Sequence, residues 1–392
     1  MFRISGLLLL ALALIADHAA RAASLADLLG PGNVVVDPLR DQLERGLARG
    51  LDFPATATTP GFTYQYDPAL GDFRRTSASL GPAFLERADT VGQGRFDVGL
   101  SMLWAAPDEI DGRSIDGSSR TIISEAPGVV GSQQAAQVTF DDFDLTAFSW
   151  YGSATYGITN RFDVNLLLPL FYTDLSVRRT DAFGADVRAF SGSESAFGVG
   201  DIQVRGKYLI DRRDPLRAAV GLALRMPSGN EDDFHGLGDF MLTPSGVLSY
   251  VFGRNDVHAS LGFEMNADEI QRSRVNYGAG VSVGIIQRLT GNLDVIGSSQ
   301  FVDEDVDTAV NASAQALAPA VANIPGADIT ATGFNSSIVH LTIDRTDIVD
   351  VAVGAKFAIV GSLVGFASVI VPITNDGVTA DVVPAGGLEI SF

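Results

Sequence analysis

The chain has 392 residues, a formal charge of −20, no cysteine, and a 46% share of hydrophobic residues. The missing cysteine excludes disulfides, thiolate metal sites and cysteine nucleophiles. So acidic a chain does not bind nucleic acid through its net field.

Arg3 is followed by an apolar run from Leu7 to Ile15 and then by Ala20-Arg21-Ala22. This is the layout of a signal peptide, residues 1–22, cut before Ala23. The alternative, a membrane anchor, needs roughly 20 apolar residues, about twice what this run offers. Cleavage would make the chain one charge more negative, because Arg3, Arg21 and Asp17 leave together. No later stretch is long and apolar enough for a spanning helix, so the hydrophobicity is spread over short pieces.

Residues 23–93 do not read as membrane strands. Asp37 and Pro38 would cap and start a helix with Leu39, Leu43 and Leu47 on one stripe. Phe53, Phe62, Tyr64, Tyr66, Phe73 and Phe84 are many aromatics for a tail. The segment is therefore expected to plug a lumen, with a partly ordered periplasmic tail as the alternative.

From residue 94 to 392 the pattern changes to alternation of apolar and polar residues, which puts residues two apart on one face of a strand. Twelve strands are expected, over 94–104, 143–157, 161–177, 197–210, 216–227, 238–252, 257–268, 274–288, 292–303, 346–359, 363–373 and 381–392. Nine to eleven residues suffice for one tilted transmembrane strand. An even count with alternating short and long joints is the pattern of a transmembrane, antiparallel, up-and-down β-barrel, an all-β fold. Five joints are tight and polar or glycine-containing: Ile158-Thr159-Asn160, Asp211-Arg212-Arg213-Asp214, Gly253-Arg254-Asn255-Asp256, Leu289-Thr290-Gly291 and Val360-Gly361-Ser362. These would be the periplasmic turns. The connections 105–142, 178–196, 228–237, 269–273, 304–345 and 374–380, rich in Asp, Gly and Ser, would face outward.

Within strands, Phe96, Val98, Leu100, Met102 and Trp104 oppose Arg95, Asp97 and Ser101. Ile202, Val204 and Tyr208 oppose Asp201, Gln203, Arg205 and Lys207, and Val349, Val351, Val353 and Phe357 oppose Asp350 and Lys356. A Lys or Arg at mid-membrane on the lipid side costs about 2–4 kcal/mol, so the charges must face the lumen. Candidate lumen residues are Asp163, Asp201, Arg205, Lys207, Arg217, Arg225, Asp350, Lys356 and Glu389. The bland alternative is that their mixed signs pair across a narrow interior, since about a dozen strands leave little room. Phe143, Phe148, Trp150, Phe171 and Tyr172 are expected near the outer rim, as an interfacial girdle or as solute contacts. The chain ends with Leu388, Ile390 and Phe392 on one face, a signal of the kind read by outer-membrane assembly machinery.

Enzyme chemistry has weak candidates. His258-Ala259-Ser260 has a phospholipase-like His-x-Ser spacing, but a strand starting after the Gly253–Asp256 turn puts the pair at the periplasmic end and inside. His235 and His340 fall in outer loops and are expected to be solvated. Asp108-Glu109-Ile110-Asp111, Glu231-Asp232-Asp233 and Asp303-Glu304-Asp305 have no EF-hand spacing and are expected to be solvated loop tips. No catalytic residue, cofactor or metal is expected.

Ser79-Leu80-Gly81-Pro82-Ala83-Phe84-Leu85-Glu86-Arg87-Ala88, running through Gly92-Gln93-Gly94-Arg95-Phe96, resembles the entry motif of the outer-membrane family named for the MetA pathway of phenol degradation. Gly198-Val199-Gly200-Asp201-Ile202 with Lys207-Tyr208, and Leu224-Arg225-Met226-Pro227-Ser228-Gly229, resemble two further patterns of that family. Ser228 stands where the family often has Thr, and the N-terminal Asn-Pro-Ala motif of the distantly similar long-chain fatty-acid transporters has no clear counterpart here. The resemblance, over roughly residues 79–392, implies a passive outer-membrane channel for small hydrophobic or aromatic compounds. The expected partners are the lipid bilayer with its lipopolysaccharide, the assembly machinery and a small hydrophobic solute, and the expected state is a monomer. The alternative function is a structural or adhesion barrel with a closed lumen.

Overall fold

The computed structural model describes residues 24–30, 34–36, 46, 63–67, 72–75, 79–125 and 133–392. The signal-peptide reading, the helix expected from Asp37, and Phe53 and Phe62 lie outside them. Among the described residues, twelve antiparallel strands close a ring. In chain order they are β1 (Phe96–Ala105), β2 (Gln133–Gly157), β3 (Phe162–Phe183), β4 (Gln203–Arg213), β5 (Leu216–Arg225), β6 (Met241–Phe252), β7 (Asn255–Asn266), β8 (Arg274–Ile286), β9 (Leu289–Gln300), β10 (Asp347–Val360), β11 (Leu363–Pro372) and β12 (Val383–Ser391). Each pairs with the next, and β12 returns to β1 with Leu388 opposite Leu100. The last residue completes the seam: Phe96 and Phe392 exchange backbone hydrogen bonds of 2.9 Å each way, and their rings stack at 5.9 Å.

The period-two pattern sorts the faces. Phe96, Val98, Leu100, Met102 and Trp104 are exposed on the outside of β1, whereas Asp97 and Ser101 are buried inside. Val353 and Phe357 face out from β10 while Asp350 and Lys356 face in. Leu388, Ile390 and Phe392 are all outward. A surface of this kind, apolar on the outside and polar within, fits a barrel set in lipid, where every backbone group must find its partner in the sheet.

The short joints lie at one end of the barrel and the long connections at the other. At the long-loop end the wall is uneven. β2 has 25 residues and β3 has 22, more than twice the nine to eleven that cross a bilayer. Their upper parts are widened by the strands Ser119–Glu125 on β2 and Asp186–Val199 on β3. The segment Val34–Val36 adds a further strand to Ser119–Glu125.

The fourth expected strand is interrupted. Asp186–Val199 and β4 run along β3 in succession, and the ladder breaks at Gly200-Asp201-Ile202. The cause lies across the ladder: Pro169 accepts a hydrogen bond from Gly200 N–H at 3.0 Å but has no N–H to return.

The connection 304–345, read from sequence as a loop, is an ordered unit. Three strands, Glu304–Val310, Ala327–Gly333 and Ser336–Ile343, form a sheet, and α1 (Ala314–Val321) packs Leu317 and Val321 against Val310, Val339 and Leu341. Ser313 caps α1 by accepting a hydrogen bond from Ala316 N–H.

Leu100→Arg places a guanidinium on the lipid face of the seam strand. It is expected to cost about 2–4 kcal/mol if Leu100 lies at mid-membrane, read as a lowered guanidinium midpoint for unfolding in lipid vesicles.

Candidate functional site

Residues 79–92 enter the lumen at the short-turn end and are buried there. The lumen wall binds this segment along its length. Leu80 N–H donates to Thr290 Oγ1 at 3.0 Å, Phe84 N–H to Asp294 Oδ2 at 3.2 Å, Ala88 N–H to Ser249 Oγ at 3.0 Å and Val91 N–H to Asp163 Oδ2 at 3.2 Å. Its own charges are matched as well: Arg87 Nε lies 3.1 Å from Asp256, Asp89 binds Arg217, and Glu86 lies 3.5 Å from Arg205. Gly81 has a φ of +80°, and a side chain there would meet the Arg87 guanidinium. That residue is a glycine because the segment folds back over Arg87.

Residues 24–30 lie toward the opposite end. Arg120 donates to Leu29 O at 2.6 Å and Arg179 donates to Leu28 O. Leu25, Leu28 and Leu29 share one apolar cluster with Phe140, Phe143, Leu145, Leu175 and Phe234. The loop 226–240 folds inward beside them, with Phe234 and His235 buried.

Asp201 latches that loop. Its oxygens accept from Arg225 Nε at 3.0 Å, Gly229 N–H at 3.0 Å and Leu237 N–H at 2.9 Å. Ser228 Oγ donates to Gly200 O at 2.8 Å and accepts from Ile202 N–H at 2.9 Å, which closes the break in the wall. The Gly-Asp and Pro-Ser-Gly patterns are thus two halves of one clasp.

Between the segment 79–92 and the long loops lies a chamber of about 280 Å³. Phe84, Leu85 and Glu86 form its floor; Pro107, Val378 and Ala380 bring it to the loops. Leu85 seats on Gly278 of β8, where a Cβ would collide with it. One wall is apolar, from Ile296, Ile348, Pro372 and Val383, and the facing wall carries Arg205, Lys207 and Arg225.

All nine candidate lumen residues face inward, and most are matched. Asp201 pairs with Arg225, Arg217 with Asp89, Arg205 with Glu86, and Lys356 with Glu389 at 3.2 Å. Lys207 donates to Arg87 O at 3.1 Å, and Asp163 accepts from Val91 N–H.

The five rim aromatics divide by parity. Phe148, Trp150 and Tyr172 form an outward cluster, with Phe148 and Trp150 stacked at 6.0 Å and Trp150 6.4 Å from Phe197. Phe143 and Phe171 are buried inside, and Phe171 meets Tyr151 edge-on at 6.0 Å and stacks on His235 at 5.7 Å. The parity signal was present in the sequence, because 143 and 171 fall on the same sides of their strands as Tyr151 and Leu167.

Two expectations are corrected. His235 is not solvated but 1% exposed, because the loop carrying it folds into the lumen. Asp233 and Glu304 are likewise not solvated loop tips. Asp233 is buried, accepting from Asn230 and Leu25, and Glu304 is held by Arg272 at 2.9 Å. His340 keeps a partly exposed side chain and sits 2.7 Å from Asp307. His258 and Ser260 do face inward; the His258 ring meets Asp294 at 3.3 Å. No group of three or more potential metal-ligating side chains occurs among the described residues.

Residues 118–322 match the family model described as "Putative MetA-pathway of phenol degradation". No curated relative matches by sequence. Among solved structures, an outer membrane channel from Pseudomonas putida F1 is similar at 11% identity and a TM-score of 0.46, covering 78% of this chain and 98% of that one. The toluene transporter TbuX of Ralstonia pickettii is similar at 12% identity and a TM-score of 0.28, covering 81% and 94%. A Pseudomonas aeruginosa FadL homologue is similar at 10% identity and a TM-score of 0.31, covering 92% and 98%.

Two outcomes follow from the clasp and the floor. Asp201→Ala leaves Arg225 buried without its carboxylate and is expected to destabilise the barrel by about 3–5 kcal/mol, measured by chemical unfolding. The double change Arg87→Ala and Asp89→Ala unties the floor; single-channel conductance in planar bilayers is expected to rise several-fold over the parent, while an unchanged conductance means the segment does not obstruct the pore.

Proposed function

The chain belongs to the MetA-pathway phenol-degradation family, and from that premise we propose that it is a passive outer-membrane channel for small hydrophobic compounds. The observation that carries the reading is the chamber: an apolar wall inside a narrow barrel, reaching the long loops at one end and floored by residues 79–92 at the other. Its volume, about 280 Å³, sets the size of the solute. An apolar cavity of about 150 Å³ accepts benzene, so there is room for one substituted ring.

A greasy solute leaves water at the loops because burying its apolar surface is favourable. It rests on Ile296, Ile348, Pro372 and Val383, and displacement of the floor segment lets it continue. Phe171, inside the rim, would meet the solute on entry, whereas Phe148, Trp150 and Tyr172 would anchor the barrel in the interface. The inward charges Asp201, Arg217, Lys356 and Glu389 hold the wall and the plug together; Arg205 and Lys207 line the path. The leader 1–22 would direct export and be removed before Ala23. Assembly machinery would read Leu388, Ile390 and Phe392, and a monomer would work in a bilayer faced with lipopolysaccharide.

The test is uptake by cells whose intact lipopolysaccharide leaflet excludes hydrophobic solutes, with and without the protein, using radiolabelled toluene, oleate and sucrose. Toluene is expected to enter faster when the protein is present, with oleate and sucrose unchanged. If no solute enters faster, the channel reading fails and a structural barrel remains.

A further inference from the structure

The chain carries a net charge of −20, and exposed acids such as Asp108, Asp142, Asp303 and Asp305 lie at the long-loop end. The short-turn end departs from that balance. Four of its five turns carry an exposed arginine: Arg161 between β2 and β3, Arg213 closing β4, Arg254 between β6 and β7, and Arg288 between β8 and β9. Arg213 is offset by Asp211 at 3.2 Å. Among the described residues the side chains of Arg161, Arg254 and Arg288 have neither a hydrogen-bond nor an ion-pair partner. Other acids of this end are engaged elsewhere, Asp214 by Arg217 and Asp256 by Arg87. The terminal carboxylate lies at the β12–β1 seam, across the ring from the β6–β7 turn.

The arginines stand in twos on neighbouring turns. Arg161 O accepts from Leu209 N–H at 2.7 Å, four residues before Arg213, and Arg254 O accepts from Gly284 N–H at 3.2 Å, four residues before Arg288. Beside each pair the outward side chains are apolar and exposed: Ile158, Tyr208 and Ile210 at the first, Phe252, Ile285 and Ile286 at the second. Tyr250 and Phe252 lie 6.1 Å apart, and aromatic rings at the edge of an apolar band sit at headgroup level. The arginines just beyond them lay their apolar stems on the band and hold their guanidinium groups among the lipid phosphates. A guanidinium binds phosphate through paired N–H donors. Two on adjacent turns favour a lipid of net negative charge over a zwitterionic one, whose own cation already faces its phosphate.

We propose that the short-turn rim is a binding collar for anionic phospholipids of the periplasmic leaflet, with Arg254 and Arg288 forming one site and Arg161 and Arg213 a second. The first is the stronger, because no carboxylate of the described residues competes there. By holding headgroups at the turns, the collar sets the depth of this end in the membrane. It does so whatever the chamber carries.

The test uses tryptophan fluorescence in vesicles of phosphatidylcholine and phosphatidylglycerol in which one lipid or the other is brominated, so that quenching reports which lipid sits beside the ring. The chain has two tryptophans, Trp104 and Trp150, both toward the long-loop end. Combining Trp104→Phe, Trp150→Phe and Phe252→Trp leaves one reporter, two residues from Arg254. There phosphatidylglycerol is expected to associate about fivefold more strongly than phosphatidylcholine, the effect of one arginine at an anionic surface. Adding Arg254→Gln and Arg288→Gln should abolish that preference. Neither side chain makes a hydrogen bond or ion pair with the described residues, so the variants should fold, as confirmed by heat-modifiable gel mobility. The parent, reporting from Trp104 and Trp150, should show no preference. The collar is overturned if the Phe252→Trp reporter sees both lipids equally, if its preference survives loss of both arginines, or if the parent shows the same preference at its own tryptophans.

Discussion

The constraint on which the molecule depends is the requirement that each backbone N–H and C=O in lipid be satisfied within the sheet. It closes the ring, ties Phe392 to Phe96 at the seam, and fixes the register, because a slip of one residue would turn every inward charge to the lipid. Once register is fixed, the interior must hold the polar residues excluded from the outside. A ring of twelve strands is narrow, so those residues are close enough to bind one another and whatever threads the lumen.

Residues 79–92 are the main answer to that crowding. The lumen presents Asp163, Asp256 and Asp294, and the segment supplies backbone N–H groups and Arg87 in return. The segment and the wall therefore complete each other electrostatically, and glycines such as Gly278 give it room. At the other end, residues 24–30, the latched loop 226–240 and the tall β2–β3 wall narrow the mouth. What is left between the two is the chamber, and its mixed walls follow from which strands the charges happen to occupy: β4 and β5 carry cations, whereas the β9 to β11 wall is mainly apolar, with Ser298 and Asp350 its polar members.

Much of this was legible in the sequence for a physical reason. Lipid imposes one rule on every strand, so Phe96 to Trp104 and Val349 to Phe357 announce their faces, and tight joints such as Gly253-Arg254 mark one end. Outside the bilayer that rule lapses. The continuation of β2 up to Gln133, the three-stranded unit in 304–345 and the burial of His235 depend on contacts distant in sequence, and no periodicity signals them. The role of Asp201 was half visible. Its place in the lumen followed from alternation, but its grip on Gly229 and Leu237 needed the loop to fold inward. The break at 200–202 was missed although Pro169 was the available signal, since its effect falls on the neighbouring strand.

The central claim is that the chamber is reached from the cell surface and closed from the periplasm by residues 79–92. The chain has no cysteine, so Ser298→Cys, on the chamber wall, would be the sole thiol. Its labelling is measured with a small charged maleimide, added to intact cells or confined to the periplasmic side in inside-facing vesicles. The account predicts labelling from the surface, slowed by a bound ring compound, and little from the periplasm. Labelling from the periplasm alone would contradict it.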